Sequence, residues 1–347
     1  MMNKLSIGSR LVSVEQPPLV IAEIGINHGG NIDVAIEMAD SAIDSGAEVV
    51  KHQTHVIEDE MSEEAKSIIP GNAEISIYEI MKQCALDEAD EWRLMQHIES
   101  RGRIFISTPF SLGALRRLVR FDVPAFKIGS GECNNYPFVR EVAKVGKPMI
   151  VSTGMNSINN IRRTVQILRD NSIDFALLHC TNVYPTPPEL VRLGALEELQ
   201  NSFPDAVIGL SDHTQSNHSC FAAVALGALI VERHFTDSME REGPDIICSM
   251  DPSSLTDMIL GTQNIFMAKG GVKGALEEES STIKFAFTSV VASKELNKGE
   301  SLTSDNVWLM RPGTGDFGAA DYDGLLGSVT CRAIKMGKQI SKQDLEQ

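Results

Sequence analysis

Eight short runs of consecutive apolar residues recur along the first two thirds of the chain. The runs are 19–22, 48–50, 104–106, 125–128, 148–151, 175–178, 206–209 and 229–231. They are continuous rather than alternating, which predicts parallel strands that are buried on both faces. Helical patterns lie between them, for example from Ile36 to Ser45, from Asp87 to Ser100 and from Ile158 to Asp170.

This alternation predicts an α/β fold, a (β/α)8 TIM barrel over residues 1–268. A doubly wound open sheet is the alternative. It fits less well because no Gly-x-Gly-x-x-Gly motif follows the first strand.

The pattern changes after the predicted barrel. Residues 269–283 are rich in Gly, Glu and Ser, which predicts a linker. Short apolar runs follow at 289–292, 307–310 and 329–333, separated by turn sequences. Residues 284–347 are therefore predicted to form a small β-rich domain. Its core is marginal alone, so we expect it to pack against the barrel or a second subunit.

The charge of the chain argues against nucleic acid and anionic membranes as partners. The formal net charge is −16, whereas a protein that binds polyphosphate presents a basic patch. A small anionic substrate remains compatible, because its site needs only a few local cations. No apolar run approaches the roughly 20 residues that span a bilayer.

The cysteines indicate a reducing compartment. They are scattered and include no Cys-x-x-Cys pair, as in a cytosolic protein with reduced core thiols. Their positions are Cys84, Cys133, Cys180, Cys220, Cys248 and Cys331. The first residues also lack the apolar stretch of a secretory signal. We therefore expect a cytoplasmic protein.

Polar side chains follow every predicted strand, and barrels of this type carry their chemistry at the carboxyl ends of the strands. One set consists of cations and hydroxyl donors, which suit a phosphate and a carboxylate. It comprises Lys51, Thr108, Lys127, Ser130, Ser152 and Ser211. A second set suits a metal ion or proton transfer. It comprises Glu23, His213, Glu232 and His234.

His213 and His234 follow consecutive predicted strands, so their imidazoles are expected to lie side by side. Two imidazoles completed by oxygen ligands from solvent or substrate favour Mn²⁺ over structural zinc, which takes four protein ligands. A pair of core histidines is the alternative. The sequence leaves the roles of three others open: His28, His52 and His55.

The residues at the strand ends resemble one known family, the N-acetylneuraminate (sialic acid) synthases. The matching blocks are IAEIGINH (21–28), VKHQT (50–54), STPF (107–110), KIGSGE (127–132), STGM (152–155), HCTNVYP (179–185), GLSDHT (209–214) and ERHFT (232–236). The C-terminal part resembles the antifreeze-like (SAF, or β-clip) domain of that family. The resemblance spans nearly the whole chain.

The resemblance implies a reaction and a set of roles. Phosphoenolpyruvate condenses with an N-acetylated amino sugar in its aldehyde form, water attacks C2 of the enolpyruvate, and phosphate leaves by C–O cleavage. The implied metal ligands are His213 and His234, with Mn²⁺ first and Mg²⁺ or Co²⁺ as alternatives, and Glu23 is the implied proton-transfer group. The implied phosphoenolpyruvate ligands are Lys51, Gln53, Thr108, Lys127, Ser130, Ser152, Asn182 and Ser211. The implied sugar ligands are Asn72, Tyr184, Glu232, Asp245 and Arg311.

The family also implies a domain-swapped homodimer, in which the SAF domain reaches over the partner barrel and Arg311 contacts the N-acetyl group of the sugar. N-Acetylmannosamine is the expected acceptor. Legionaminate or pseudaminate synthase, each using a diacetamido sugar, is the alternative. A metal-dependent barrel hydrolase and a non-catalytic binding protein are weaker alternatives. Metal-dependent barrel hydrolases usually carry a His-x-His motif near the first strand, where this sequence has EIGIN (23–27). A non-catalytic binding protein has no need of an anion site with two lysines.

Overall fold

A computed structural model describes residues 4–69 and 74–346. The chain divides into two compact units, Met1–Gly270 and Gly271–Gln347. The predicted linker 269–283 includes a short 3₁₀ turn, Glu277–Glu279, and the beginning of a helix at Ser280. In the described part of the chain, no helix is long and apolar enough to cross a membrane.

An antiparallel hairpin that the apolar pattern did not predict opens the first unit. Strand β1 (Lys4–Ile7) pairs with β2 (Arg10–Ser13). Its side chains Leu5, Ile7 and Val12 are buried and share a hydrophobic cluster with residues at the beginnings of the barrel strands, such as Leu19 and Ile230. The hairpin therefore packs at the end of the barrel that lies opposite to the predicted site.

Within the described residues, eight parallel strands close into a barrel, which confirms the predicted fold. The strands are β3 (Leu19–Gly25), β4 (Val49–Thr54), β5 (Ile104–Pro109), β6 (Phe126–Ile128), β7 (Met149–Ser152), β8 (Phe175–Cys180), β9 (Val207–Asp212) and β10 (Ile230–His234). β10 pairs with β3 and closes the ring. All eight predicted strands are present.

Helices surround the barrel, and several of them pack against the outer side of its strands. They are α1 (Ile32–Asp44), α2 (Ile57–Glu60), α3 (Ile77–Cys84), α4 (Glu88–Ser100), α5 (Leu112–Arg120), α6 (Tyr136–Ala143), α7 (Ile158–Asp170), α8 (Pro188–Val191), α9 (Gly194–Ser202), α10 (His218–Ala225) and α11 (Pro252–Ala268). Helix α1 begins four residues before the predicted start at Ile36. The reason is that Asn31 caps it, with its side chain accepting a hydrogen bond from Asp33 N at 2.9 Å.

Strand register brings the predicted site residues to one level of the barrel. β10 pairs His234 with Glu23 of β3, and β3 pairs Glu23 with Lys51 of β4. β9 pairs Ser211 with Glu232 of β10. Because parallel strands end at the same rim, these side chains converge at the carboxyl end of the barrel.

The second unit contains helices α12 (Ser280–Ala286) and α13 (Tyr322–Leu325) and an antiparallel pair, β11 (Ser289–Ala292) and β12 (Val307–Met310). Its core includes Val290 and Ile340. The third strand predicted at 329–333 is wrong. That segment pairs only through isolated bridges, in which Val329 and Thr330 meet two different partner segments, so no continuous ladder forms.

Candidate active site

A cavity of about 590 Å³ opens at the carboxyl ends of the barrel strands. Most of the side chains that the sequence singled out line it. These are Glu23, Lys51, Gln53, Thr108, Lys127, Ser130, Ser152, Asn182, Tyr184, Ser211, His213, Glu232, His234 and Asp245. The fold therefore brings together residues that are up to 222 positions apart, from Glu23 to Asp245.

Two predicted sugar ligands are not in this set. Asn72 lies outside the described residues, so its prediction stays open. Arg311 belongs to the second unit, where its side chain is exposed and its Nε donates a hydrogen bond to Ala286 O at 2.9 Å.

Lys51 lies deep in the cavity between acidic groups. Its Nζ contacts Glu23 Oε2 in a buried ion pair and donates to Thr108 Oγ1 at 3.4 Å. Burial alone lowers the pKa of Lys51, but the attraction of Glu23 and Glu232 outweighs it and leaves the pKa raised. Gln53 Nε2 donates to Glu23 Oε1 at 3.0 Å, so two neighbours in β4 hold one carboxylate.

Lys127 provides the second cation. Its Nζ donates to Ser152 Oγ at 2.7 Å and lies 3.5 Å from Glu232 Oε1. Burial lowers the pKa of Lys127, and the attraction of Glu232 offsets this only in part. The same Glu232 oxygen accepts a hydrogen bond from Ser211 at 3.0 Å. Two buried ammonium groups with hydroxyl donors beside them form a site suited to a multiply charged anion.

Close backbone packing shapes the next part of this anion site. A Cβ atom at Gly154 would overlap Asn182 Oδ1 and lie 2.9 Å from Ser130 Oγ. Gly154 N donates to Ser130 Oγ at 3.0 Å. Only glycine lets the chain after β7 approach these two side chains so closely.

The two predicted histidines lie side by side, as the topology predicted. The ring centroids of His213 and His234 are 5.5 Å apart, and the Tyr184 ring lies tilted against His213 with a centroid distance of 4.1 Å. His213 Nδ1 lies 2.9 Å from the Thr181 carbonyl oxygen, to which it donates, and this leaves Nε2 as the free lone pair. Burial, together with the nearby His234, lowers the pKa of His213 to about 3, so the ring is neutral.

These residues fit a divalent metal that takes few protein ligands. Buried His234 Nδ1 has no hydrogen-bond partner among the described residues and lies 3.7 Å from Asp245 Oδ2. In the described part of the chain, no group of three or more His, Cys, Asp or Glu side chains is arranged to hold a metal. A metal at His213 and His234 would therefore take its other ligands from solvent or substrate, as a catalytic rather than a structural site does.

An apolar wall of the cavity escaped the sequence reasoning. Ile77, Ile80 and Met81 of α3 line it, and Ile247 is a further apolar side chain of the cavity lining. The signal was present, because apolar residues at 77, 80, 81 and 84 repeat with helical spacing. That pattern predicts an apolar helix face, but it does not reveal that the face borders a cavity.

Comparison with known proteins identifies the family to which the chain belongs. The NeuB family model matches residues 38–274, and the SAF domain model matches residues 287–346. The chain belongs to the NeuB family. The family resemblance predicted from the strand-end residues is thereby confirmed.

Curated relatives cover most of the chain. An uncharacterized protein of Methanocaldococcus jannaschii is 39% identical and covers 90% of each chain. The N,N'-diacetyllegionaminic acid synthase of Campylobacter jejuni is 34% identical over 91% of this chain and 97% of its own. The human N-acetylneuraminate-9-phosphate synthase is also 34% identical, over 85% of this chain and 84% of its own. Identity therefore does not separate the last two.

A solved structure supports the same fold. The crystal structure of N-acetylneuraminic acid synthetase from Leptospira borgpetersenii, in complex with citrate, has a TM-score of 0.74 and 27% identity. The match covers 82% of this chain and 96% of that one. The chain is a member of a family that includes sialic acid, legionaminic acid and pseudaminic acid synthases.

Proposed function

We propose that the protein is an N-acetylneuraminate synthase, which condenses phosphoenolpyruvate with open-chain N-acetylmannosamine and water. A C–C bond forms between C3 of the enolpyruvate and the aldehyde carbon. Water adds at C2, and the bond from C2 to the bridging oxygen of the phosphate breaks. The products are N-acetylneuraminate and inorganic phosphate.

One observation carries the proposal. Two buried lysines with hydroxyl donors lie in the same cavity as two imidazoles, of which His213 is neutral and His234 has an Nδ1 without a hydrogen bond among the described residues. The lysine half suits the phosphate and carboxylate of phosphoenolpyruvate. The imidazole half suits a Lewis acid next to an aldehyde. A substrate with two anionic groups and a reacting carbonyl partner requires both halves.

In the proposed complex, Lys51, Lys127 and the surrounding donors orient the enol so that one face meets the aldehyde, which lowers the entropic part of the barrier. The donors beside the lysines are Gln53, Thr108, Ser130, Ser152, Asn182 and Ser211. Glu23 would move the proton at the reacting aldehyde or at the attacking water. Tyr184, Glu232 and Asp245 would bind the sugar hydroxyls, with Asn72 proposed from sequence alone.

His213 and His234 would hold a divalent metal, Mn²⁺ in the first place. When bound, the metal supplies Lewis-acid polarisation of the aldehyde oxygen, where negative charge develops in the transition state. The Thr181 carbonyl keeps His213 in the tautomer that presents Nε2.

The charge of the cavity favours an acceptor without phosphate. Arg233 is the remaining cationic side chain that lines it among the described residues. Its guanidinium is held by Asn217 Oδ1 at 2.7 Å and lies 3.5 Å from Asp212 Oδ2. The lysines are assigned to phosphoenolpyruvate, so a second phosphate would find little positive charge.

A second acceptor is favoured by the apolar wall. Ile77, Ile80 and Met81 would contact methyl groups, and a diacetamido sugar with a deoxygenated carbon offers more of them than N-acetylmannosamine. Legionaminate synthase is therefore the second candidate, and the Campylobacter relative supports it.

The deciding experiment offers phosphoenolpyruvate and Mn²⁺ with each sugar separately, and identifies the nonulosonate by mass spectrometry. Phosphate release with N-acetylmannosamine at a higher kcat/KM than with its 2,4-diacetamido analogue supports the first candidate. The reverse order supports the second. If no acetamido sugar triggers phosphate release, the synthase proposal is wrong.

We also propose that Arg311 of a partner subunit contacts the acceptor in a domain-swapped homodimer. Arg311→Ala should then raise the KM for the sugar about tenfold or more and change that for phosphoenolpyruvate little. Lys338→Ala, which removes a cation of the same unit, is the control. Equal effects of Arg311→Ala on both KM values would contradict the proposal.

A further inference from the structure

A second buried carboxylate lies on the outer side of β4. Glu91 of α4 is fully buried. Its Oε1 lies 3.1 Å from His52 Nδ1 and accepts a hydrogen bond from Thr54, while its Oε2 accepts from Arg117 Nη1 at 2.9 Å. Burial raises the pKa of Glu91, but the bonds from His52, Thr54 and Arg117 outweigh this and leave it lowered, so the group is ionised.

The two faces of β4 mirror each other. Side chains of a strand alternate between its faces. His52 and Thr54 point outward and share Glu91, whereas Lys51 and Gln53 point into the cavity and share Glu23. The outer carboxylate therefore fixes the same four-residue stretch of backbone that presents the inner contacts.

The outer network continues to the loop that follows β3. His52 Nε2 lies 3.2 Å from His28 Nε2, and His28 Nδ1 accepts a hydrogen bond from Gly30 N at 3.1 Å. Burial, together with His52, lowers the pKa of His28 to about 3, so this ring is neutral. These hydrogen bonds, from Gly30 through His28 and His52 to Glu91, thus connect the β3–α1 loop with β4 and α4. Strand β3, which precedes this loop, carries Glu23.

One placement of protons satisfies the hydrogen bonds that join Gly30, His28, His52 and Glu91. Ionised Glu91 has no proton to donate, so His52 Nδ1 must carry one. His28 Nδ1 accepts from Gly30, so the proton of this neutral ring lies on Nε2. His28 Nε2–H therefore donates to the bare Nε2 of His52, and the donors run in one direction from Gly30 N–H to Glu91.

We propose that Glu91, through His52 and His28, is a positioning residue for the active site. The directional chain holds β4 and the β3–α1 loop in a single register, and so keeps Lys51 and Gln53 against Glu23. None of Glu91, His52 or His28 lines the cavity, and these residues act on the reaction only through the groups that they hold. The kinetic part of this inference rests on the proposed function, whereas the proton placement does not.

Histidine ring ¹⁵N NMR of the wild-type protein tests the proton placement. A long-range ¹H–¹⁵N correlation should show a protonated Nε2 and a bare Nδ1 in His28, and the opposite tautomer in His52. Loss of signals in His28→Asn and His52→Asn assigns the rings. The opposite tautomer in either residue would contradict the proposed placement of protons, whether or not the protein is catalytically active.

Kinetics test the positioning role. Glu91→Gln keeps the size of the side chain, but its amide cannot accept from both His52 and Arg117. We expect kcat to fall about tenfold or more in folded protein, with the His52 tautomer altered. Glu88→Gln on the same helix, which removes only an exposed contact to Arg120, should stay within about twofold of wild type.

A folded Glu91→Gln protein with wild-type kcat would overturn the proposal, because a merely structural role leaves kcat intact well below the unfolding temperature. If this variant does not fold, Thr54→Val carries the same test. It removes the Thr54 hydroxyl that Glu91 accepts from and that lies 2.7 Å from Ser107 Oγ. We expect a loss of kcat of about threefold or more, and an unchanged kcat would overturn the proposal. A wild-type protein that turns over no sugar would defeat the proposed function instead.

Discussion

Two pairs of histidines in the same barrel have almost the same spacing and opposite surroundings. The ring centroids of His213 and His234 are 5.5 Å apart, and those of His28 and His52 are 5.3 Å apart. All four rings are buried. Burial lowers the pKa of one member of each pair, His213 and His28, to about 3.

The difference lies in what the ring nitrogens contact. In the His28–His52 pair, each nitrogen has a partner, and the chain ends on a carboxylate. In the other pair, His213 Nδ1 is bonded to Thr181, whereas buried His234 Nδ1 has no hydrogen-bond partner among the described residues. Spacing and burial therefore do not distinguish a ligand-binding pair from a structural one. A buried ring nitrogen that makes no hydrogen bond does distinguish them, because a buried polar group without a partner is costly unless a ligand completes it.

The largest expected effect separates the pairs by activity. His213→Ala and His234→Ala should each lower turnover by at least about 10³-fold, because they remove the nitrogens that face the cavity. Circular dichroism and thermal unfolding should show a retained fold. The control is His97→Ala, which removes an imidazole of α4 that is hydrogen-bonded to Asp40 of α1. This variant should keep its activity. Retained turnover in His213→Ala would end the assignment of this pair.

The next effect separates the pairs by stability. Glu91→Ala removes the carboxylate at the end of the His28–His52 chain and leaves the Arg117 guanidinium unpaired. Breaking a buried pair in this way should cost about 3–5 kcal/mol of unfolding free energy. Urea unfolding followed by fluorescence measures it. Glu88→Ala should cost less than about 1 kcal/mol, because its ion pair with Arg120 is exposed. A similar small cost for Glu91→Ala would mean that the network contributes little.

The same contrast explains what the sequence could predict. Continuous apolar runs predicted all eight barrel strands, because burial of both faces leaves a local signature. The polar residues at the strand ends could be predicted because the rim of the barrel is fixed by topology. His28 and His52 stayed open, because their partners lie far along the chain, such as Glu91 at 39 positions from His52.

The misses have physical reasons as well. The β1–β2 hairpin is short, and its burial comes from the barrel end that it covers rather than from its own pattern. The wall formed by Ile77, Ile80 and Met81 looks like an ordinary helix face until the cavity is known. The strand predicted at 329–333 failed because Val329 and Thr330 pair with two different segments through isolated bridges, so no ladder forms there.

A third prediction tests, without measuring turnover, whether the His213–His234 pair binds a metal. Mn²⁺ at about 100 times its dissociation constant should stabilise the wild-type fold by about 2.7 kcal/mol. This gain should disappear in His213→Ala and persist in Glu91→Gln, because the second variant leaves the cavity imidazoles unchanged. Thermal unfolding with and without Mn²⁺, after treatment with a chelator, gives the difference. A gain that survives in His213→Ala would place the metal elsewhere.

The smallest expected effect is a pH dependence of the unfolding free energy that Glu91 contributes through its contacts with His52, Thr54 and Arg117. The pKa of Glu91 is lowered in the folded protein, whereas the pKa of Glu in an unfolded chain is about 4.3. A lowered folded pKa contributes stability that is fully present above the unfolded value and is lost as the pH falls through the folded one. The difference in unfolding free energy between wild type and Glu91→Gln should therefore be constant above about pH 5 and should narrow below about pH 4. Urea unfolding across this range measures it, and the Glu88→Gln difference should stay near zero throughout. A gap between wild type and Glu91→Gln that widens in acid would mean that Glu91 is protonated in the folded chain, and the one-directional arrangement of protons from Gly30 to Glu91 would then be wrong.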